Sequence, residues 1–329
     1  MRIAVVGTGS IGRRHLTNLL SLGHNELLAV SEHRKIQQLS IEGAEIPVLH
    51  DFKQAIESQI EIVFLCNPTS MHADYLARAV NAGKHVFLEK PAATTATELT
   101  TVMKMQRSNS PTIAVGHQFR FNPHLLELKE KVEQGSVGRI LQVEAVQGEH
   151  IADYHPKEDY RQGYAARADL GGGVLLTQIH QIDYLNWLFG PFESVTATGG
   201  QTGMLEIDVE DNVSYILQNR DAIGVYGHVN FLRRPKQVRM TVSGTEGTFN
   251  WDYYAGLLSW TPSRANASTR TVSSTAPRNQ MFRDLVVDFL DAIAGQYSPR
   301  STLEDGLTSL KIVDAIKQSL QSRRSSLIN

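Results

Sequence analysis

Cysteine is nearly missing from this chain, since Cys66 is the only one among 329 residues. One cysteine cannot form an intrachain disulfide, so a disulfide-stabilised fold is excluded and a reducing compartment is favoured. Cys66 lies within an apolar run, a position typical of a small core side chain rather than of a reactive thiol.

An excess of charge is missing as well, because 32 basic residues nearly balance 34 acidic ones. Without a long basic run, we expect no nucleic-acid partner and no membrane partner. No apolar stretch approaches the roughly 20 residues of a membrane span. The N-terminus also lacks the charged and then apolar segments of a secretory signal. The sequence therefore predicts a soluble, cytoplasmic protein.

A glycine turn near the N-terminus carries the clearest local pattern. It consists of Gly7-Thr8-Gly9-Ser10-Ile11-Gly12, between an apolar run at 3–6 and a helix-like segment that ends at Leu22. Gly7 permits a tight bend, Gly9 lets a pyrophosphate approach the backbone, and Gly12 lets the helix lie close to the sheet. A second apolar run at 27–30 is followed by Glu32, which is placed to bind the adenosine ribose. This order predicts dinucleotide binding.

Alternating apolar runs and breakers continue to about residue 118. We predict strands at 48–49, 62–65, 85–88 and 112–115, and helices over 34–42, 51–58, 70–82 and 94–108. This alternation is typical of an α/β fold with a doubly wound parallel sheet. Asn67, Pro68 and Thr69 follow a predicted strand, at the edge where such sheets bind ligands.

The pattern changes in the second part of the chain. We predict a strand over 140–148, and alternating runs at 195–199, 212–217, 223–231, 238–242 and 248–253 predict a largely antiparallel open sheet. We predict helices over 123–134, 174–189, 280–294 and 303–320, and polar loops over 152–170 and 261–276. Because single cores stop growing near roughly 250 to 300 residues, we expect two domains: a Rossmann domain at 1–119, and an α+β substrate-binding and oligomerisation domain at 120–329.

Two stretches resemble a known family. Residues 79–91, AVNAGKHVFLEKP, resemble a signature of the glucose-fructose oxidoreductase, inositol dehydrogenase and rhizopine-catabolism family, Gfo/Idh/MocA. Residues 171–183, GGGVLLTQIHQID, are similar to the triple glycine and H-x-x-D helix of that family. With the glycine turn and the Asp305-Gly306 helix, the resemblance spans essentially the whole chain. Residues 159–167 are most similar to members linked to bacterial surface-sugar biosynthesis.

The resemblance implies a nicotinamide-dependent oxidoreductase that acts on a sugar, a polyol or a nucleotide sugar, with Lys90 and His180 as the catalytic pair. The chain departs from the family where a carboxylate usually precedes the histidine, because Leu176 and Thr177 occupy those places. We therefore expect His180, braced by Asp183, to be the base. We expect Lys90 to be the cation that stabilises alkoxide charge, and the bond before Pro91 to be cis.

The candidate binding residues follow from the motifs. Those for the cofactor are Gly7, Gly9, Ser10, Ile11, Gly12, Glu32, Asn67, Pro68, Thr69, His72, Glu89 and Lys90, and those for the substrate are Arg120, Asn122, Arg167 and Thr177. We expect NAD rather than NADP, because a 2′-phosphate would meet the Glu32 carboxylate, although Arg34 could accept it. No metal is expected, since the spacing of Glu149, His150, Asp153 and His155 matches no ligand pattern.

Two other functions remain open. One is NAD-dependent glycoside hydrolysis, and the other is a dinucleotide-binding regulator without chemistry, which Thr177 favours. We also expect a homo-oligomer, a dimer or a tetramer, built through the exposed face of the sheet over 195–253. On that face Tyr215, Tyr226 and Phe231 would otherwise leave an apolar patch in water.

Overall fold

The computed structural model describes residues 1–32, 37–105, 111–221, 223–264, 268–274, 277–295 and 297–328. The chain forms two compact units, one of Met1–Gln118 with Arg278–Leu307 and the other of Phe119–Pro277 with Thr308–Asn329. The break after Gln118 lies next to the expected boundary at residue 119. The expectation of a continuous second domain differs from the structure, because residues 278–307 pack within the first unit.

The first part of the chain alternates strands and helices as expected. Labels follow chain order: β1 (Ile3–Val6), α1 (Ser10–Ser21), β2 (Leu27–Val30), β3 (Gln38–Ile41), β4 (Ala44–Leu49), α2 (Phe52–Glu57), β5 (Ile62–Leu65), α3 (His72–Asn81), β6 (His85–Leu88), α4 (Ala96–Met103) and β7 (Ile113–Val115). Within the described residues the strand order is β3-β4-β2-β1-β5-β6-β7. Apart from the antiparallel β3–β4 pair, neighbouring strands are parallel, which confirms the doubly wound sheet.

The later elements are α5 (Pro123–Glu133), β8 (Ile140–Gly148), α6 (Val174–Thr177), α7 (His180–Phe189), β9 (Ser194–Gly200), β10 (Asn212–Gln218), β11 (Gly224–Asn230), β12 (Gln237–Gly244), β13 (Gly247–Asp252), β14 (Leu257–Pro262), β15 (Arg270–Ser273), α8 (Gln280–Gly295), α9 (Leu303–Ser322) and β16 (Ser326–Leu327). Among the described residues of the second unit, the sheet runs β15-β14-β13-β12-β8-β11-β10-β9-β16. Only its β8–β11 pair is parallel, so the largely antiparallel sheet is confirmed.

The predicted helix over 34–42 is wrong for the part that the structure describes. Gln38–Ile41 is a strand with alternating exposed and buried side chains, Leu39 and Ile41 being the buried ones. It pairs with β4 through a turn at Glu42 and Gly43, whose φ angles are 49° and 82°. Residues 34–36 of the predicted helix, and with them Arg34, lie outside the described residues. Residues 106–108 of the helix predicted over 94–108 do as well.

Two further predictions fail in the second unit. The helix expected over 174–189 is interrupted at Gln178 and Ile179, where the Gln178 carboxamide donates to the Tyr154 hydroxyl at 3.1 Å and to the Asn230 carbonyl at 3.0 Å. The polar stretch at 261–276 is not only a loop, because the end of β14 and the whole of β15 fall within it. Trp260 of β14 packs on the Phe249 ring at 4.4 Å, which supports this edge of the sheet.

The exposed sheet face differs from the one that we expected. Tyr215 is 2% exposed and Phe231 is fully buried, whereas Tyr226 is 43% exposed. Side chains alternate between the two faces of a strand, so Tyr215 points to the helix-covered face, where its hydroxyl donates to Gln181 at 2.7 Å. Ile216 lies opposite Tyr226 in the ladder and is also exposed. In the part of the chain that the structure describes, no helix has the length and apolar character to cross a membrane.

Candidate active site

The glycine turn of the first unit leaves room that only glycine provides. Gly7 has a φ of 94°, and a Cβ at this position would lie 2.6 Å from the Cys66 carbonyl oxygen. A Cβ at Gly12 would collide with the Gly7 carbonyl. A Cβ at Gly9, in contrast, would meet no described atom within 4 Å. Gly7 and Gly12 therefore permit close backbone packing, whereas Gly9 faces open space.

The start of α1 fits a pyrophosphate. Gly9 is its N-cap residue, and no side chain of the described residues caps this end. The first N–H groups of a helix have no partner within the helix and carry partial positive charge, so Ser10, Ile11 and Gly12 present such groups next to the open space at Gly9. This is the arrangement that binds phosphate oxygens in dinucleotide folds.

The end of β5 offers unsatisfied polar atoms. Neither the nitrogen nor the oxygen of the Asn67 carboxamide, both buried, has a hydrogen-bond partner among the described residues. Pro68 follows, and Thr69, which begins a 3₁₀ turn at Thr69–Met71, is buried. Since buried polar groups are nearly always hydrogen-bonded, the Asn67 amide fits a site that a cofactor completes.

His72 braces this edge of the sheet instead of offering a free ring nitrogen. Its Nδ1 lies 2.7 Å from the Pro91 carbonyl oxygen and its Nε2 lies 2.9 Å from that of Asn67. Burial lowers the pKa of His72, although both carbonyls act in the opposite direction. Both ring nitrogens thus face backbone carbonyls, and the expected cofactor contact of His72 stays a prediction.

Glu89 and Lys90 lie at the end of β6. Glu89 is 6% exposed, and its carboxylate contacts His15 at 2.7 Å and the Lys90 backbone N–H at 3.2 Å. The Lys90 side chain is half-buried, and the expected cis bond between Lys90 and Pro91 is confirmed. Glu89 was expected among the cofactor contacts, but its carboxylate holds the turn that carries Lys90. The sequence analysis did not identify His15, although this residue lies in α1 only three residues after Gly12.

The Asp305-Gly306 segment supports the same region. A Cβ at Gly306 would lie 3.1 Å from the Ala92 Cβ and 3.2 Å from Val115, so only glycine lets the start of α9 pack this closely. The Asp305 carboxylate accepts the Thr302 N–H at 2.8 Å and anchors that start.

Glu32 is exposed at the end of β2. Its carboxylate accepts a long hydrogen bond of 3.5 Å from the Tyr75 hydroxyl of α3. Tyr75 was not recognised from the sequence.

The triple glycine of the second unit positions the start of α6. A Cβ at Gly172 would come within 2.5 to 2.7 Å of the carbonyl oxygens of Tyr164, Ala165 and Arg167. Gly173 has a φ of 105°, and a Cβ at this position would collide with the Glu210 carboxylate, which accepts the Leu175 N–H at 3.2 Å. Burial raises the pKa of Glu210. This carboxylate caps the helix before His180, a role that no sequence motif indicated.

His180 begins α7. It is 6% exposed, and its ring meets the Phe119 ring edge-on at 5.4 Å. Thr177, the last residue of α6, is also buried. The sequence had placed His180 in the middle of a continuous helix. In the structure it lies just after the break between α6 and α7.

Asp183 forms a buried ion pair. The Arg120 guanidinium donates to its carboxylate at 2.7 Å through one terminal nitrogen and at 3.1 and 3.2 Å through Nε. Arg120 is 3% exposed and Asp183 is 1% exposed. The structure therefore brings together a residue expected to contact substrate and one expected to brace the base.

The remaining substrate candidates have local partners. The Asn122 Oδ1 caps α5 by accepting the N–H groups of His124 and Leu125 at 3.1 and 3.2 Å, and a substrate contact of Asn122 stays a prediction. Arg167 pairs with Asp169 at 2.6 Å on a surface groove of about 640 Å³. That groove is lined by Arg161, Gln162, Ala166, Arg167, Asp169, Leu205, Glu206, Ile207 and Asp208, a set that does not include Thr177, His180 or Asp183.

Two of the four residues considered for a metal form ion pairs. Asp153 binds Arg234 at 2.7 Å and Glu149 lies 3.4 Å from Lys236. Across the described ranges, no group of three or more His, Cys, Asp or Glu side chains is arranged to hold a metal ion.

Family profiles cover both parts of the chain. Residues 1–117 match the profile described as "Oxidoreductase family, NAD-binding Rossmann fold", and residues 125–250 match "GFO/IDH/MocA C-terminal domain". The chain belongs to the Gfo/Idh/MocA family. Its first unit is thus the NAD-binding part of a nicotinamide-dependent oxidoreductase, as the fit of Gly9, α1 and Asn67 indicates independently.

Other members of this family align over nearly the whole chain. Inositol 2-dehydrogenase of Rhizobium meliloti is 25% identical over 98% of this chain and 98% of its own length. The solved structure of a levoglucosan dehydrogenase with NADH and levoglucosan is 20% identical, with a TM-score of 0.88, over 100% of this chain and 99% of the other. That of the WlbA dehydrogenase from Bordetella pertussis with NADH and UDP-GlcNAcA is 22% identical, with a TM-score of 0.83, over 100% and 98%.

Proposed function

We propose that the protein transfers a hydride between NAD and the CH–OH carbon of a sugar, a polyol or a nucleotide sugar. The observation that supports this most strongly is the first unit, where a phosphate-binding turn and the strand end with Lys90 belong to one sheet. Full-length relatives named for inositol, and structures that hold levoglucosan or UDP-GlcNAcA, support the substrate class.

The chain's own residues divide the work in this proposal. When bound, NAD supplies the nicotinamide carbon that accepts or returns the hydride. The Lys90 ammonium holds the substrate hydroxyl oxygen and stabilises the negative charge that develops there. His180 accepts the hydroxyl proton on its imidazole.

Asp183 acts in the proposal as part of the pair with Arg120. A carboxylate that receives a bidentate guanidinium is held in one orientation, so Asp183 offers a fixed negative charge one helical turn after His180. The usual carboxylate upstream of the histidine is replaced here by Thr177, which we propose contacts substrate.

The proposal is tested by NADH production. Purified protein is mixed with NAD and, separately, with myo-inositol, levoglucosan and UDP-GlcNAcA, and absorbance of reduced nicotinamide is followed, with Lys90→Ala as the matched control. Accumulation of NADH with the unmodified chain supports a dehydrogenase. Sugar release from glycosides without net NADH would indicate glycoside hydrolysis, and tight NAD binding without turnover on any substrate would indicate a regulator.

Two finer proposals accompany this function. We infer that NAD is preferred to NADP, because the Glu32 carboxylate would face a 2′-phosphate. We also infer that copies of the chain associate through the sheet face that carries Ile216 and Tyr226, whose apolar side chains are both exposed.

A further inference from the structure

An imidazole from α1 holds the carboxylate at the end of β6. His15 Nε2 lies 2.7 Å from Glu89 Oε1, and the other carboxylate oxygen, Oε2, accepts the Lys90 backbone N–H at 3.2 Å. An ionised carboxylate only accepts hydrogen bonds, so His15 is the donor. The two oxygens of Glu89 therefore connect helix α1 to the turn that carries Lys90.

The contact between His15 and Glu89 is buried among aromatic rings and backbone. His15 is fully buried and its ring packs against the rings of Phe64 and Phe87 at 5.4 and 4.9 Å. A Cβ at Gly116 would lie 3.1 Å from the carboxyl carbon and from Oε2 of Glu89, so this glycine leaves just enough space for the carboxylate. Hydrogen bonds in such an apolar enclosure are stronger than in water, and a carboxylate there has little freedom to rotate.

The surroundings of this buried carboxyl group favour its charged form. Burial alone would raise the pKa of Glu89, but the hydrogen bond and charge of His15, together with the charge and N–H of Lys90, bring that pKa below its usual value. A buried carboxylate that loses such a partner is costly, so it would take up a proton or turn away from its remaining donor. In either case the hydrogen bond that the Lys90 N–H donates becomes weaker or is lost.

We propose that His15 is a positioning residue, which holds the Lys90 turn in its reactive place through the Glu89 carboxylate. His15 has no access to substrate, because it is fully buried. His15 belongs to α1, the helix whose first turn fits the pyrophosphate. Its contact with Glu89 therefore fixes the position of the Lys90 turn relative to the helix that would bind the cofactor. The inference rests on the proposed role of Lys90 in oxidoreduction.

The test combines one measurement of geometry with one of catalysis. Three variants are compared with the unmodified chain: His15→Leu, which removes the donor; His15→Gln, which keeps an N–H donor at about the same reach; and Glu89→Gln, which removes the charge. Hydrogen exchange of the Lys90 amide reports the geometry without any turnover. The Glu89 amide, which donates to the Leu65 carbonyl at 2.9 Å in the sheet, is the internal control.

We expect His15→Leu to speed exchange of the Lys90 amide about tenfold or more and to leave the Glu89 amide unchanged. Its kcat should fall by roughly ten- to a hundredfold, the range for a lost hydrogen bond to a charged group, with the Kd for NADH within about threefold. His15→Gln should recover most of both losses. The double variant His15→Gln with Glu89→Gln should be no worse than Glu89→Gln alone, because both act through one contact.

Unchanged Lys90 exchange with near-native kcat in folded His15→Leu would overturn the proposal, as would losses that multiply in the double variant. If His15→Leu does not fold, Glu89→Gln decides by the same criteria: it should speed exchange of the Lys90 amide, because a carboxamide oxygen is a weaker acceptor than a carboxylate oxygen. If the unmodified chain turns over none of the substrates, the proposed function fails, and the exchange data still decide whether His15 holds Lys90.

Discussion

Lys90 and His180 are expected to differ in what their removal costs. A positioned acid or base typically contributes roughly a hundred- to ten-thousandfold. His180→Ala should therefore lower kcat by about that factor and leave NAD affinity nearly unchanged. Lys90→Ala should lower kcat and also raise KM for the substrate, because its ammonium holds the hydroxyl. Steady-state kinetics and a separate NAD titration check both.

The opposite pattern would reverse the assignment. Near-native turnover of His180→Ala, with loss of activity only in Lys90→Ala, would make Lys90 the base. Thr177→Asp is the informative companion, because it returns a carboxylate upstream of His180. An increase in turnover would show that the missing carboxylate limits this chain.

Glu32 is the residue that should set the cofactor preference. We expect NAD to bind more tightly than NADP, and Glu32→Gln to narrow that difference by raising affinity for NADP, because the like charge facing the 2′-phosphate is removed. Fluorescence titration with NADH and NADPH measures both. Tyr75→Phe, which removes the 3.5 Å hydrogen bond to Glu32 but keeps its charge, is the control and should keep the preference. Equal or tighter binding of NADP by the unmodified chain would contradict the proposal.

Among individual residues, the sequence predicted those that allow a particular backbone conformation or a close backbone contact. Gly7 and Gly12 could be recognised because no other residue allows their close contacts. His15 and Glu210 could not, since their partners lie 74 and 35 residues away along the chain. The capping role of Asn122 could have been recognised, because Asn directly before a Pro at the first helical position is a helix-start signal.

The cap of α5 gives a prediction at the level of one element. Asn122→Ala should destabilise the protein by about 1 kcal/mol, within the roughly 0.5 to 2 kcal/mol range of lost caps, because two N–H groups lose their acceptor. Asn122→Asp keeps an acceptor oxygen and should be close to the unmodified chain. Chemical denaturation followed by circular dichroism measures the difference.

Similar stability of the alanine and aspartate variants would mean that the cap contributes nothing measurable. Reduced turnover of Asn122→Asp without loss of stability would instead favour the original expectation that Asn122 contacts substrate. The two measurements thus separate a structural role from a binding role.

Elements were predictable where local pattern and tertiary packing agree. β5 and β6, buried on both faces, appear as continuous apolar runs and were predicted with their observed bounds. The break between α6 and α7 was missed, because Gln178 reaches Tyr154 and Asn230, which are distant in sequence. β15, whose four residues are all exposed, has no buried face that could produce a hydrophobic pattern.

For the whole molecule we expect association through the Ile216 and Tyr226 face. Light scattering at micromolar concentration should give a mass of two or four chains, and Ile216→Glu with Tyr226→Glu should reduce it by placing charges in an apolar contact. Met204→Glu with Val287→Glu is the control, because these exposed apolar residues lie in the connection between β9 and β10 and in α8, not in the sheet. A monomeric unmodified chain would refute the expectation.

The division of the chain into two units was predictable from its length and from the change of hydrophobic pattern near residue 119. That residues 278–307 belong to the first unit was not predictable. An amphipathic helix such as α8 shows in sequence only that one stripe is buried, not which core it joins. Phe289 of this helix packs against Phe64 and Phe87 at 5.9 and 5.7 Å. The Asn279 amide also donates to Asn18 of α1 at 2.7 Å.

That late return of the chain has a consequence during synthesis on the ribosome. Domains generally fold as units as they emerge, but the first unit cannot bury Phe64 and Phe87 fully until residue 289 has left the exit tunnel. Most of the polypeptide must therefore be translated before the nucleotide-binding core closes. During that interval, nascent chains expose aromatic surface that chaperones recognise, and a message truncated after codon 118 would encode a fragment lacking part of its own core.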